Sequence, residues 1–598
     1  MRHSSASFAP LRSGITTLLA GTLIVSGCTS PFDLADERAL QQQLLSSYTT
    51  EVDAIAAGPV IELQRMPSDV IQELSPQRSA ELNSISGIEA YRDDELILGQ
   101  NLLGNENQLA VQLTLQQAIE LAVRNNLDLQ VARYTPAISE TQLTQAEAFF
   151  DANFFFNSGY VRTADPNFGN TFAGQEGASL QEDYNFETGI RNNLISGGQL
   201  TTSTSLNHTH SSFGGTTSNF FEGNITINLV QPLLRGFGSD INRANIILAR
   251  NALESTRQTL REDLLNLAAN VEAQYWTLSF SKQALLIQTR LLERTINDRD
   301  RLQERAEFDV NPVRLTEASS FVELRRADVI RTRQEVRDAS DALKRLINSP
   351  ELPVADETII IPVDWPVDVP LQFSLLDAIS TALLNRPELQ VALYNIKDSS
   401  IRQRVAENGR LPILNITLGN NLSGAEANNP AAGYGDLFDL DFVDYIAQIA
   451  FEMPIGNREP EAAYQESILA RKQSVVIYQD QAQQVVLDVK NALRELLTSY
   501  ELIGATRAAR LAAADALRAI EEQEAAGVAL TPEFLLDLKL QAQERLADAE
   551  TQEVQSLINY NNAISILYLQ MGTLLERDGI VFENYINAPV TAAPLLEP

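Results

Sequence analysis

The sequence predicts an α+β chain, tandemly duplicated, in which long antiparallel coiled-coil hairpins are joined to strands patterned for a transmembrane β-sheet. Three observations predict it. Thr114 to Tyr134 aligns without gaps to Ser374 to Tyr394, with ten of 21 positions identical, and matched parts follow in the same order in both halves. From Ile241 to Glu307 there is neither Gly nor Pro. Between the repeated segment and the long helix of each half lie stretches in which apolar residues alternate with uncharged polar ones. A period above 200 residues is far longer than a solenoid unit of about 20 to 50 residues, so each half is a large structural unit.

Composition removes several classes of function. The 598 residues carry 78 acidic and 45 basic side chains, a formal net charge of −33 that repels nucleic acid. Three histidines and one cysteine leave little for a zinc site or for thiol chemistry, and no cofactor is implied. The hydrophobic content of 44% excludes global disorder. At the start, Arg2 and Arg12 precede an apolar run from Ile15 to Val25 and then Ser26-Gly27-Cys28, the pattern of an export signal over 1–27. Val25 to Cys28 resembles the lipobox of bacterial lipoproteins, which implies that Cys28 is the acylated mature N-terminus, carrying palmitate-type chains. An ordinary secretory signal or a buried free cysteine are the alternatives. Beyond the signal no apolar run reaches about 20 residues, so a membrane span has to be a β-barrel.

The elements follow in order. Residues 28–112 read as a polar, irregular, extended arm. The first repeat, 113–348, opens with a helix after the N-cap residue Thr114, and the second, 374–573, does so after Ser374. Each helix breaks at a matched place, Asn125-Asn126 and Asn385-Arg386-Pro387, and Pro387 suits the first position of the next helix. Strands are expected at Asn153 to Arg162, Tyr184 to Leu194 and Ile225 to Leu229, and in the second repeat at Leu414 to Leu418 and Tyr445 to Phe451. One apolar and one uncharged polar face suits a barrel wall between lipid and water, although a soluble sandwich alternates in the same way. Long helices follow, with Leu264, Val271, Leu278, Leu285 and Leu292 at intervals of seven, the seam of a packed helical pair. Turns at Phe308 to Pro312 and Gly527 to Pro532 return the chain along helices ending near Ile347 and Met571. A linker, 349–373, joins the repeats, and a tail, 574–598, closes the chain.

The first repeat's strand region exceeds the second's by 38 residues, and Ser196-Gly197-Gly198-Gln199 inside it reads as a hairpin turn. The excess is either two further barrel strands or a long loop or hairpin outside the membrane.

Leu115 to Tyr134 with Leu375 to Tyr394, the run Asn385 to Ala392, and the strand-to-helix runs Gln231 to Gly236 and Met453 to Gly456 together resemble the TolC family of outer-membrane efflux and secretion ducts. The resemblance covers about Val111 to Leu575. It implies a homotrimer whose protomers close one barrel, usually of twelve strands, and continue as an α-helical tunnel through the periplasm. It further implies a passive channel in outer-membrane lipid, working with a periplasmic adaptor and an inner-membrane transporter, and no catalysis. The alternative is a lipid-anchored periplasmic coiled-coil adaptor or scaffold without a barrel.

In that family the periplasmic end is pinched at the hairpin tips, with acidic rings near the second turn. By that resemblance Glu533 and Asp537 are ring candidates here. Arg314 and Glu317, at the first turn, are candidates for an ion pair between the hairpins. Acids in the first turn of a helix also stabilise its N-terminus, which is the plain reading of either acid alone. His208 and His210 would share one strand face, two ligands too few for a firm metal site. Gly236-Phe237-Gly238 lacks the lysine of a phosphate loop and fits a strand-to-helix joint. Tyr275 and Trp276 read as helix packing.

Overall fold

In a computed structural model the chain divides into two units, 1–57 and 58–598. The structure describes residues 60–65, 68, 74–91, 94, 96–104, 109–165, 179–213, 216–305, 312–438, 441–526 and 532–582, all in the second unit. The export signal, Cys28 and most of both hairpin turns lie outside the described residues.

The repeat helices form where their caps place them. Thr114 accepts from the Gln117 amide and Gln117 bonds back to the Thr114 amide, a full capping box that starts the helix Leu115–Asn125. Ser374 caps Leu375–Asn385. Ala118, Ile119, Ala122 and Val123 are buried in the first helix, and Ala378, Ile379, Ala382 and Leu383, their equivalents 260 residues on, are buried in the second. The following helices, Leu127–Glu147 and Pro387–Gly409, begin at the matched breaks, the latter with proline in its first turn.

The helical hairpins are Ala244–Arg305 (here α5) with Pro312–Ile347 (α6), and Arg458–Ala525 (α10) with Pro532–Gln570 (α11). In chain order the shorter helices are α1 (Pro76–Ser86), α2 (Leu115–Asn125), α3 (Leu127–Glu147), α4 (Ser239–Asn242), α7 (Leu375–Asn385), α8 (Pro387–Gly409), α9 (Pro430–Gly435) and α12 (Leu574–Arg577). With 62 residues α5 is about 90 Å long. Its seam is the core: Leu264, Val271, Leu278 and Leu285 are at most 1% exposed, packed with Leu343 and Ile347 of α6. Mid-seam, the Tyr275 hydroxyl lies 3.0 Å from the carbonyl of Leu113 and 2.9 Å from Asp364, and accepts from the Val363 amide at 3.2 Å. It thereby ties α5 to two short paired strands, β2 (Ala110–Leu113) and β7 (Ile359–Pro362).

The arm is more ordered than its composition suggests. Ser75 caps α1, and Leu82 on it packs against Leu511 of α10 and Leu546 of α11. Arg510 of α10 reaches Ser86 and Asn83 at 2.9 and 2.6 Å and also pairs with Glu553. Strand β1 (Ile61–Glu62) pairs with β8 (Gln372–Phe373) in the linker. The irregular-arm expectation therefore fails over these residues: a buried leucine and hydrogen bonds to a buried arginine stabilise a helix whose own amphipathic signal is weak.

All five expected strand segments form. They belong to β3 (Asn153–Asp165), β4 (Ser179–Asn193), β6 (Thr216–Pro232), β9 (Ile413–Ala427) and β10 (Val443–Glu452). The excess of the first repeat supplies β5 (Gln199–Phe213), and the antiparallel sheet has the order β10-β9-β6-β5-β4-β3. The long-loop reading of the excess does not hold, because β4 and β5 pair with each other and with strands on either side.

Candidate functional site

Cross-strand partners share a face, so the register sorts the sheet into two surfaces. On one, Phe154, Ile190 and Ile227 lie in a row, with Leu229, Leu418, Ile449 and Phe451 nearby. Phe154 is 74%, Ile449 71% and Tyr445 82% exposed. Such an apolar surface is costly in water and is what a lipid-facing barrel wall presents. Towards the outer strand ends an aromatic row crosses four strands: Tyr160, Tyr184, His208 and Phe221, with ring centroids 4.8, 5.6 and 4.2 Å apart. His208 and His210 do share this face, but His208 is stacked between Tyr184 and Phe221, and His210 bonds Asn219 at 2.7 Å. Among the described residues no group of three or more potential ligands gathers.

The other face is polar. Asn185 donates to Asn207 at 2.5 Å, Thr226 to Asn421 at 3.0 Å, and Asn157 to Glu187 at 3.3 Å, so amides and hydroxyls run across it in ladders. Asp183, Glu187, Glu222, Asp444 and Glu452 also lie on this face by register, against Arg191 alone among the basic residues of the described strands. No helix among the described residues is long and apolar enough to cross a membrane. The sheet is the part of the chain patterned for one.

Each half passes from sheet to long helix through a left-handed joint. Gly236 and Gly238 (φ +83° and +109°) follow β6, and Gly456 and Asn457 (φ +97° and +42°) follow β10. The glycines of both joints are turn residues, as expected of Gly236-Phe237-Gly238.

At the far ends of the hairpins the charged side chains converge. Arg314 on α6 bonds Glu317 at 2.7 Å and both oxygens of Asp537 on α11 at 3.2 Å. Three of the four expected gate residues therefore meet, and they bridge the two hairpins. Glu533 lies in the first turn of α11, but its side chain is outside the described residues. A second bridge, not anticipated, lies beside the first. Lys539 on α11 bonds Asp298 on α5 at 2.7 Å and Glu524 on α10 at 2.9 Å, while Gln543 donates to the other Asp298 oxygen at 2.8 Å. Asp298, Lys539 and Gln543 are all buried. Burial alone would lower the Lys539 pKa; the hydrogen bond and charge of Asp298, with those of Glu524, hold it above the usual lysine value. Arg325 of α6 meets Glu544 of α11 at 3.0 Å. The available signal was that Lys539, one of six lysines in the chain, stands among leucines.

With this geometry in place, comparison is direct. Residues 378–573 match the family described as "Outer membrane efflux protein". None of the curated proteins matches the chain in sequence. Among solved structures, the Campylobacter jejuni CmeC outer membrane channel superposes with a TM-score of 0.57 at 15% identity, over 83% of this chain and 95% of that one. CusC superposes at 0.56 with 17% identity, over 78% and 93%. The open-state Neisseria gonorrhoeae MtrE outer membrane channel gives 0.53 and 18%, over 78% and 91%. These identities establish a shared fold. Residues 378–573 thus match the outer membrane efflux protein family, and the described part of the chain shares the fold of these outer membrane channels.

Proposed function

We propose that this chain is one protomer of an outer-membrane exit duct, carrying solutes passively from a periplasmic transport assembly to the exterior. The observation that supports it best is the sheet: one face apolar and exposed, the other polar, with β3 and β10 at its edges. Open edges in lipid leave backbone groups without partners, so the protomer needs closure by further copies. Closure by three copies pairs β10 of each with β3 of the next. The long helices then line a tunnel whose periplasmic end meets an adaptor and an inner-membrane transporter. An adaptor without a barrel has no use for exposed Phe154, Tyr445 and Ile449.

Arg314, Glu317, Asp537 and, by its position, Glu533 form the gate region. The Arg314–Asp537 and Lys539–Asp298 bridges hold the second hairpin against the first. Opening the tip by moving one hairpin breaks them, while repulsion between acids around the axis favours release. Cys28 supplies the lipid anchor.

Electron microscopy of the detergent-extracted protein tests this reading. A three-fold tube with a detergent belt around the sheet end is expected; a monomer without a belt would overturn it.

A further inference from the structure

We infer that all six strands of each protomer stand in the membrane wall, so that three copies close a barrel of about 18 strands rather than twelve, its diameter scaling with strand number. This rests on the trimeric duct proposed above. Barrel diameter grows about linearly with strand number, so the lumen has roughly twice the cross-section of a twelve-stranded one.

Four observations place β4 and β5 in the wall. Pairing is continuous: β3 with β4 from Asn153 to Asp165, β4 with β5 from Leu180 to Asn193, and β5 with β6 from Gln199 to Phe213. These ladders are as long as that joining the two repeats, β6 with β9 from Phe220 to Pro232. Lifting the hairpin out would strip both ladders and leave β3 without a neighbour. The apolar face is also continuous, since Phe186, Leu206 and Ile190 occupy the same rows as Gly223 and Ile227. A hairpin in water on both sides has no need of a one-sided apolar surface. The aromatic row is contributed equally by the hairpin (Tyr184, His208) and its flanks (Tyr160, Phe221), the position of an interfacial girdle.

The fourth observation fixes the hairpin's inner end. Its turn, Leu194 to Gly198, is built into the β6-to-helix joint. Ser196 donates to Gln231 at 2.8 Å, Gln231 returns a bond to the Ser196 carbonyl at 3.2 Å, and the Gly238 amide donates to that carbonyl at 3.1 Å. Gly197 has φ +92°, and a side chain there would collide with the Gly236 carbonyl. The turn is locked at the level where strands become helices, as a periplasmic barrel turn is. The added strands bring no added helix, so the helical tunnel and its tips, not the barrel, set the size limit on what passes.

Cysteine accessibility in native membranes separates the possibilities. The chain has one native cysteine, Cys28, and the unsubstituted protein gives the background. Single substitutions Asn185→Cys and Asn207→Cys on the polar face should react with a membrane-impermeant maleimide at least about tenfold faster than Phe186→Cys and Leu206→Cys on the apolar face. Asn421→Cys and Leu422→Cys on β9 report on the barrel itself. Alternation on β4, β5 and β9, with 18 strands counted by electron microscopy, is the expected result. Alternation on β9 with equal labelling of both faces on β4 and β5, or a twelve-stranded three-fold barrel, would overturn the inference and leave the duct standing. Loss of alternation on β9 as well would overturn both.

Discussion

Lys539 shows how much one side chain carries at the hairpin tips. Replacing it with methionine leaves Asp298 buried beside Gln543 without its cation, and breaking a buried pair costs about 3–5 kcal/mol. Lys539→Met is therefore expected to lower the thermal midpoint of the detergent-solubilised protein sharply, and Asp298→Asn added to it should restore much of the loss. An equal loss in the double variant would mean that packing, not charge, holds the contact. The neighbouring Arg314–Asp537 pair is partly exposed, with side chains at 27% and 38%, and such pairs contribute about 0.2–1 kcal/mol. Its loss should spare stability but shift the gate, since about 1 kcal/mol is a fivefold change in an equilibrium. Arg314→Ala is expected to raise open probability in planar bilayers up to about fivefold, with Asp537→Ala giving the same effect and the double variant no more. Additive effects would place the two residues in separate roles. Asp537 came from the family resemblance and Arg314 and Glu317 from the matching turn of the first repeat, and the structure brings these three side chains together. Lys539 with Asp298 was not legible in the sequence, because the partners are 241 residues apart and only the packing of one hairpin on the other joins them.

Among the elements, the repeat helices were readable to within a few residues, because caps, breaks and the seam of sevens are local signals written twice. Strand β4 was readable from Tyr184, Phe186 and Ile190. Its partner β5 has threonine and serine on both faces, Thr202 and Thr204 against Ser203 and Ser205, so hydropathy scarcely alternates and only the turn at Gly197-Gly198 betrays it. The arm was misread for a similar reason: Leu82 and Ser86 alone are buried along α1, and side-chain bonds from the hairpin hold it. A buried acid nearby adds a pH signature. Glu550 of α11 is buried beside Tyr91, which follows α1, with Arg294 and Arg290 of α5 and Arg510 of α10 around it. Burial pushes its pKa up from 4.5 to about 7, further than the Tyr91 hydroxyl and the arginines pull it down. A folded pKa raised in this way gives stability that is fully present below about 4.5 and is lost as pH rises through about 7. Thermal stability and protection of the 76–91 segment from proteolysis should therefore increase as pH falls from 8 to about 5.5. Glu550→Gln should flatten that dependence. An unchanged slope would mean that another group is responsible, Asp578 foremost, since burial and the nearby Glu272 raise its pKa to about 7 as well.

For the whole molecule, charge and pore width act together. Acidic side chains are not spread evenly over the two faces of the sheet. Its polar face carries Asp183, Glu187, Glu222, Asp444 and Glu452 against Arg191, and in the proposed trimer that imbalance repeats three times around one axis. Carboxylates lining a water-filled wall concentrate cations, so the duct is expected to be cation-selective. How strongly depends on salt, because the wall reaches the middle of the lumen only through the Debye length, about 10 Å at 0.1 M and about 3 Å at 1 M. In a narrow pore the two conditions would differ little. In a barrel of about 18 strands the axis lies well beyond the shorter length, so ions crossing at 1 M pass through neutral electrolyte. The expected observation is a clear cation-selective reversal potential across a KCl gradient near 0.1 M that collapses near 1 M, and that weakens at low salt in Asp183→Asn with Glu222→Gln. Selectivity that persists undiminished at high salt would assign ion discrimination to the narrow hairpin tips and their acids instead. Anion selectivity at low salt would mean that the polar face of the sheet does not line the path at all.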